Sequence, residues 1–265
     1  MIRADFHVHS TFCDGQASPE EMVRAALEKG MDAIGFSGHS RTAFDRSWCM
    51  SRAGTRAYRA EIARLKTAYA GRIGVFCGVE QDLFSDAPTA GYDYVIGSVH
   101  YLCVDGAYLP VDESAAHQTD AAARHFGGDM YAFAEEYFRS AARLPEVTGC
   151  GVIGHFDIVT KFNEGGALFD EDHPRYVAAW RHAADALLES GAFFEINTGG
   201  IARGWRSVPY PAPPILEYLI AHGARFLLSG DAHRPEGLCS GFDYWGAWAE
   251  ARGAVIAESP DFCIQ

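Results

Sequence analysis

The sequence lacks several features that mark whole classes of protein. None of its apolar runs reaches the roughly 18 residues that a membrane-spanning helix needs. Residues 1–5 contain no hydrophobic region of a signal peptide. The seven cysteines are odd in number and form no Cys-x-x-Cys pair, which indicates reduced thiols. We therefore expect a cytoplasmic protein with no membrane partner.

Positive charge is also scarce. The chain has 22 lysines and arginines against 35 acidic residues, a formal net charge of −13. Nucleic acids and anionic lipids are polyanions, which such a chain repels at long range. We therefore expect no nucleic-acid partner, and an anionic substrate requires a local positive site.

The common nucleotide and nucleophile motifs are missing as well. There is no Gly-x-x-x-x-Gly-Lys-[Ser/Thr] loop, no Gly-x-Ser-x-Gly elbow and no Gly-x-Gly-x-x-Gly after a strand. P-loop enzymes, serine hydrolases and dinucleotide-binding folds are therefore disfavoured. Any catalytic chemistry must come from other side chains.

The order of apolar runs predicts an α/β fold. Seven short strand-like runs alternate with helical segments, and no repeat or flexible linker divides the 265 residues. Ser18, Pro19 and Glu21, for example, form a helix start after a strand that begins at Ile2. Such alternation favours a parallel sheet with helices outside, closed as a TIM-like βα barrel. We expect one domain that spans residues 1–265.

Polar side chains follow the predicted strands at their carboxyl ends, and six of the eleven histidines are among them. In a βα barrel these ends lie on one face, where active sites are built. Residues far apart in sequence would therefore meet there. They are His7, His9, His39, Glu80, His100, His155, Asn197, Asp231 and His233.

These residue types suit metal binding. His7-x-His9 and Asp231-x-His233 each place two side chains on one side of a strand. Neutral imidazole binds zinc, iron or manganese, and the carboxylate of Glu80 could bridge two cations. The alternatives are surface histidines at a strand end, or a salt bridge between Glu80 and a nearby arginine. A buried Asp231 would be costly without a cation beside it.

Asp14, in the loop after the first strand, is a further oxygen ligand, although a turn role beside Gly15 is an alternative. The candidate ligands outnumber what one ion can use, so we expect about two to three divalent ions, zinc, iron or manganese. Such clusters suit phosphoester hydrolysis, because the cations neutralise phosphate oxygens and activate a water as hydroxide. We therefore expect the metal site at the carboxyl ends of the barrel strands.

Residues 5–10, 36–39 and 229–233 resemble motifs of the polymerase and histidinol phosphatase (PHP) family. The resemblance implies a distorted barrel of seven βα units with a trinuclear site, and Glu80, Asp231 and His233 at the centre of catalysis. It also implies how the ligands divide: His7, His9, Glu80 and Asp231 at the first metal, Glu80, His100 and His155 at the second, and Asp14, His39 and His233 at the third.

Residues 92–100, 156–157, 160–163 and 195–204 resemble the histidinol-phosphatase branch of that family. The resemblance implies cleavage of L-histidinol phosphate to L-histidinol and phosphate, a step of histidine biosynthesis. Arg203 could hold the phosphate through its planar donor pair, with Lys161 and Arg206 as lesser candidates. An exposed loop position is the alternative for Arg203.

Three aromatic residues are candidates for a wall against the imidazole of the substrate, with packing as the alternative: Tyr101, Trp205 and Tyr210. Two other functions stay open at this point. One is a nuclease or nucleotide phosphoesterase of the same family, and the other is a metal-binding protein without turnover. The sequence does not indicate an oligomeric state or the identity of the metal.

Overall fold

A computed structural model describes residues 3–257. Eight parallel strands form one curled sheet in the order β1-β2-β3-β4-β7-β8-β9-β10, and β5 and β6 form a separate antiparallel hairpin. The strands are β1 Ala4–Val8, β2 Ala33–Phe36, β3 Gly74–Asp82, β4 Tyr94–Ser98, β5 Tyr101–Val104, β6 Ala107–Pro110, β7 Val152–Ile153, β8 Phe193–Asn197, β9 Arg225–Ser229 and β10 Val255–Ile256.

The helices follow the strands along the chain. The first begins as predicted, because the Ser18 side chain accepts from the backbone N–H of Glu21 and the Glu21 side chain returns to Ser18. Within residues 3–257 no helix is long and apolar enough to cross a membrane. The helices are α1 Pro19–Glu28, α2 Arg52–Ala68, α3 Ala115–His125, α4 Met130–Ala141, α5 Leu144–Thr148, α6 Pro174–Ser190, α7 Gly199–Ala202, α8 Pro213–Ala221 and α9 Phe242–Glu250.

The sheet curls until its first strand meets the segment after β9. The backbone N–H of His9 donates to Ala232 O at 2.9 Å, and that of Ala232 donates to His7 O at 3.0 Å. The predicted barrel-like α/β fold is confirmed, and each of the seven predicted strands corresponds to a strand of the sheet. β10 is an eighth strand, and Ile2, where the first strand was predicted to begin, lies outside the described residues.

The interior of the curled sheet is packed. Tyr94 crosses it and donates from its hydroxyl to Phe6 O at 2.6 Å and to Phe36 O at 3.1 Å. Gly35 and Gly78 face the Tyr94 ring so closely that a Cβ at either position would overlap it. Since side chains fill the inside of such sheets, polar groups can gather only above this layer, at the strand ends.

Two parts of the chain differ from the prediction. β3 continues to Asp82, so Glu80 lies inside the strand rather than at its end. The hairpin β5–β6 was not predicted, although Asp105-Gly106 is a strong hairpin signal and both residues have positive φ, 50° and 80°. The hairpin follows His100 directly and forms a wall beside the strand ends.

Candidate metal centre

The nine predicted ligands lie together at the carboxyl ends of the strands. They come from β1, β3 and the loops after β1, β2, β4, β7 and β9, so the sheet assembles the cluster from across the whole chain. Their role as metal ligands stays a prediction. Three groups have ligand atoms within 4.8 Å of one another: His7, His9 and Glu80; His39, Glu80 and His100; and His9, Asp14, His39 and His233.

Glu80 lies at the centre of the cluster and is buried. Its Oε1 faces Nε2 of His155 at 2.8 Å and Nε2 of His100 at 3.2 Å. Its Oε2 faces Nδ1 of His39 at 2.8 Å and Nε2 of His7 at 3.2 Å. Each oxygen therefore faces a different set of imidazoles, which is the geometry that a carboxylate bridging two cations requires.

The outermost part of the cluster is formed by Asp14, His39 and His233. One oxygen of Asp14 is 3.5 Å from Nε2 of His39, and the other is 3.2 Å from Nε2 of His233. The loop that carries Asp14 is tight, because a Cβ at Gly15 would overlap the backbone of Ser10. The turn and the ligand position therefore belong to the same loop, and the two sequence alternatives for Asp14 are compatible.

Several polar atoms of the cluster lack the hydrogen bonds that buried atoms normally make. Within residues 3–257, Nε2 of His7, Nε2 of His9, Nδ1 of His39 and Oε2 of Glu80 have no hydrogen-bond partner of acceptable geometry. A buried polar atom left this way costs about 1–3 kcal/mol. Imidazole nitrogens and carboxylate oxygens directed at shared points are the donor set of divalent cations, so these residues fit such ions.

The charges of the cluster residues also favour the binding of cations. Burial raises the pKa of Glu80, but the positive charges of His39 and His7 outweigh this and hold that pKa well below its ordinary value. Burial lowers the pKa of His100, but Glu80 and Asp82 raise it to about 10. The buried carboxylates therefore keep the neighbouring imidazoles protonated, unless another cation neutralises the carboxylate charge.

A layer of carboxylates behind the ligands holds the imidazole rings. Glu195 is fully buried and lies 2.6 Å from Nδ1 of His7; it also accepts from the backbone N–H of His155 at 2.9 Å. Asp82 accepts from the backbone of His100 at 3.1 Å and lies 3.3 Å from its Nδ1. Such partners fix the orientation of ligating imidazoles. Sequence reasoning did not assign these two residues, although an acid inside the apolar strand β8 was a signal for Glu195.

Two predicted phosphate-binding residues line a cavity of about 240 Å³ over the cluster. Arg203 donates from Nη2 to Oδ2 of Asp231 at 2.8 Å, and its Nη1 lies 3.0 Å from Nδ1 of His233. Lys161 donates from Nζ to the backbone oxygen of Asp112 at 2.7 Å and to its carboxylate at 3.2 Å. The side chains of Arg203 and Lys161 therefore both lie beside the strand ends, where neighbouring acidic residues hold them.

Arg206 does not join them, and this corrects the sequence interpretation. Its side chain is buried and donates to Glu171 at 2.8 Å and to the backbone oxygen of Thr160 at 3.1 Å. Tyr210 is likewise buried and packs against Gly200, where a Cβ would lie 2.7 Å from the ring. Arg206 thus ties the loop after β8 to the loop after β7, and Tyr210 packs within the loop after β8, whereas Trp205 is half-exposed and lines the cavity.

An acidic pocket of about 280 Å³ adjoins the cluster and shares Asp14, His39, His100 and Asp112 with the cavity that holds Arg203 and Lys161. The Tyr101 hydroxyl donates to Asp45 at 2.7 Å and accepts from the indole N–H of Trp48 at 3.0 Å. Asp112 and Glu113 complete the wall, and no lysine or arginine of the described chain lines this pocket. Of these residues only Tyr101 was singled out in the sequence.

The fold and the arrangement of the cluster define an α/β barrel of the PHP class, and comparison with known proteins agrees. The PHP domain family matches residues 5–199, so the chain belongs to that family. A protein of Deinococcus radiodurans named "probable histidinol-phosphatase" is 32% identical over 248 residues, covering 87% of this chain and 86% of that one. The histidinol-phosphatase of Bacillus subtilis is 26% identical over 260 residues, covering 88% and 94%.

Solved structures share the fold. A chain from Listeria monocytogenes superposes with a TM-score of 0.76 at 18% identity and covers 91% of this chain and 99% of its own length. The histidinol phosphate phosphatase of Lactococcus lactis, solved with zinc, L-histidinol and phosphate, gives 0.70 at 19% identity and covers 96% and 95%. The predicted placement in the histidinol-phosphatase branch of the PHP family is confirmed.

Proposed function

We propose that this chain is a metal-dependent phosphomonoesterase that hydrolyses L-histidinol phosphate to L-histidinol and phosphate. The observation that carries this proposal is the polarity of the cleft. The cluster and two basic side chains, Arg203 and Lys161, line one cavity, and the adjoining pocket, which shares Asp112 with it, carries further acidic and aromatic side chains. A substrate with a phosphate at one end and cationic groups at the other fits these two adjoining spaces. The names of the relatives and the ligands of the Lactococcus lactis structure support the same substrate.

The nine residues of the cluster would hold about two to three divalent ions, zinc, iron or manganese. Zinc accompanies the related Lactococcus lactis structure. When bound, such ions neutralise phosphate oxygens and lower the pKa of water toward neutrality. Glu80, whose two oxygens face different imidazoles, would supply negative charge to the ions held there.

Arg203 and Lys161 would receive the phosphate. Arg203 is oriented by two hydrogen bonds to Asp231, one to its carboxylate and one to its backbone oxygen, so its remaining donors are fixed relative to the cluster. Asp231 therefore has a positioning role besides any contact with a metal. His233 lies beside Arg203 at the cavity and is partly exposed; its Nε2, 3.2 Å from Asp14, would bind a metal there.

The acidic pocket would hold the alcohol that leaves. Histidinol carries an ammonium group and an imidazole, and carboxylates stabilise both when they are protonated. Trp48 offers an indole face within the same wall, against which an imidazole or a cation can stack. Asp45 is held by Tyr101, so its charge is directed by a fixed hydrogen bond rather than by a mobile side chain.

Phosphate release from a panel of esters tests the proposal directly. The metal-loaded protein is incubated with histidinol phosphate, glycerol phosphate, a nucleoside monophosphate and an oligonucleotide, with and without a chelator. We expect the highest kcat/KM for histidinol phosphate and loss of turnover on chelation. Preferential cleavage of the oligonucleotide would indicate a nuclease, and metal-loaded protein that hydrolyses none of the esters would indicate a protein without turnover.

A further inference from the structure

Four arginines line a second cavity on the outside of the sheet. It has a volume of about 380 Å³, within the range of small-molecule sites. Arg52, Arg56 and Arg59 project from the first turns of α2 at spacings of four and three residues, which places them on one helix face. Arg41, from the loop after β2, completes the set, and the cavity shares no lining residue with the cavities at the metal cluster.

The positive charge of this cavity is poorly neutralised. Asp86 is the one acidic residue in its lining; it binds Arg41 and lies 3.8 Å from Arg52. Arg59 donates to backbone oxygens, at 2.8 Å to Gly91, which leaves its charge uncompensated. Among the described residues no carboxylate forms an ion pair with Arg56. The lining therefore carries about three surplus positive charges.

Two arginines elsewhere on this acidic protein each pair with two carboxylates. Arg64, also on α2, binds Glu20 at 2.6 Å and Glu61 at 2.7 Å, and Arg175 on α6 pairs with two acids. A chain with net charge −13 has carboxylates to spare for surface arginines. Like charges that converge without them repel one another, so their convergence on a concave site favours an anionic ligand.

The cavity also offers a surface for an uncharged ring. The guanidinium of Arg59 lies 4.9 Å from the ring centroid of Tyr92, and Ala87 and Pro88 form the apolar part of the lining. A purely inorganic anion would use only the arginines. A molecule that carries several anionic oxygens and a flat organic group would use the whole cavity.

We propose that this cavity, lined by Arg41, Arg52, Arg56 and Arg59, binds a small organic polyphosphate, with a nucleoside diphosphate as the representative ligand. The phosphates contact the arginines of α2, where the helix N-terminus adds to the positive potential, and the ring packs on Ala87 and Pro88.

Calorimetric titration of the metal-loaded protein with ADP tests this site. A nucleotide could also bind at the metal cluster, so two variants separate the places: Arg52→Glu with Arg56→Glu in the second cavity, and Arg203→Ala in the cleft. Arg64→Glu, on the same helix but outside the cavity, is the control for the change of charge. Pyrophosphate and adenosine are titrated separately, so that the contribution of the phosphates to the binding affinity is measured apart from that of the ring.

We expect saturable ADP binding that persists in Arg203→Ala and in Arg64→Glu and weakens at least about tenfold in the double variant, the loss of one or two charge-assisted contacts. Pyrophosphate should bind more weakly than ADP at the same site. Absence of saturable ADP binding, or ADP binding that keeps its affinity in the double variant, would overturn the proposal. Unchanged thermal unfolding of the double variant excludes a folding defect as the cause of any loss.

Discussion

The metal cluster and the cleft around it are built from different parts of the molecule. The cluster residues stand on strands or directly after them and are mostly buried, with Glu195 and Asp82 fixing their rings. The walls come from loops and the β5–β6 hairpin, and their side chains are partly exposed. Since residues on strands are held more firmly than residues on loops, we expect changes in the cluster to reduce turnover and changes in the walls to alter substrate preference.

Glu80→Gln should have the largest effect. Glutamine keeps the size of the side chain but removes the charge that faces both sets of imidazoles. We expect kcat to fall by about a thousandfold or more, because electrostatic stabilisation of this kind contributes about that much. Glu113→Gln in the acidic wall is the matched control and should retain most of its turnover. Similar losses of kcat in both variants would show that the cluster and the wall do not differ in their roles.

Glu195→Gln should act through metal affinity. Glu195 holds Nδ1 of His7 without facing the cleft, and removal of such a partner typically costs about 10–100-fold in metal affinity. We expect activity that is low at limiting metal and recovers when metal is added in excess. Activity measured across a metal titration checks this, and a deficit that no metal concentration repairs would assign Glu195 a more direct role.

The variants Arg203→Ala and Arg206→Ala compare an arginine that lines the cleft with an arginine that is buried beside it. Arg203 lines the cleft, so its loss should raise KM for histidinol phosphate by about tenfold, the value of one charge-assisted hydrogen bond. Arg206 is buried and pairs with the partly exposed Glu171, and loss of such a buried partner destabilises a protein by about 1–3 kcal/mol. Steady-state kinetics and denaturant unfolding separate the two. A KM effect in Arg206→Ala alone would contradict the structural role given to it.

The strand-borne part of the site could be predicted from sequence, and the loop-borne part could not. A strand has a short, regular period and a defined carboxyl end, so His7 and His9 could be placed on one face without coordinates. The strand interpretation of Asp231-x-His233 is wrong, because β9 ends at Ser229 and Asp231 has a positive φ of 46°. The position of Arg206 depends on how a loop folds back on Glu171, which no local pattern encodes. The partners of Asp45 and Trp48 likewise come from a hairpin more than 50 residues away.

Asp45→Asn should have the smallest effect and the most selective one. It removes a negative charge from the acidic wall while keeping the hydrogen bond to Tyr101 possible. We expect KM for histidinol phosphate to rise a few-fold, as a partly exposed charge contributes about 0.2–1 kcal/mol, with no change for glycerol phosphate. An equal change of KM for both esters would show that the acidic pocket does not select the substrate.

The central claim is that the carboxyl ends of the strands hold divalent cations. Elemental analysis of protein purified without chelator, compared with the His7→Ala and Asp14→Ala variants, tests it most directly. We expect about two to three equivalents of zinc, iron or manganese per wild-type chain and fewer in each variant, because each loses one ligand. A wild-type protein that turns over histidinol phosphate without bound divalent metal, or variants that keep the full complement, would contradict the account.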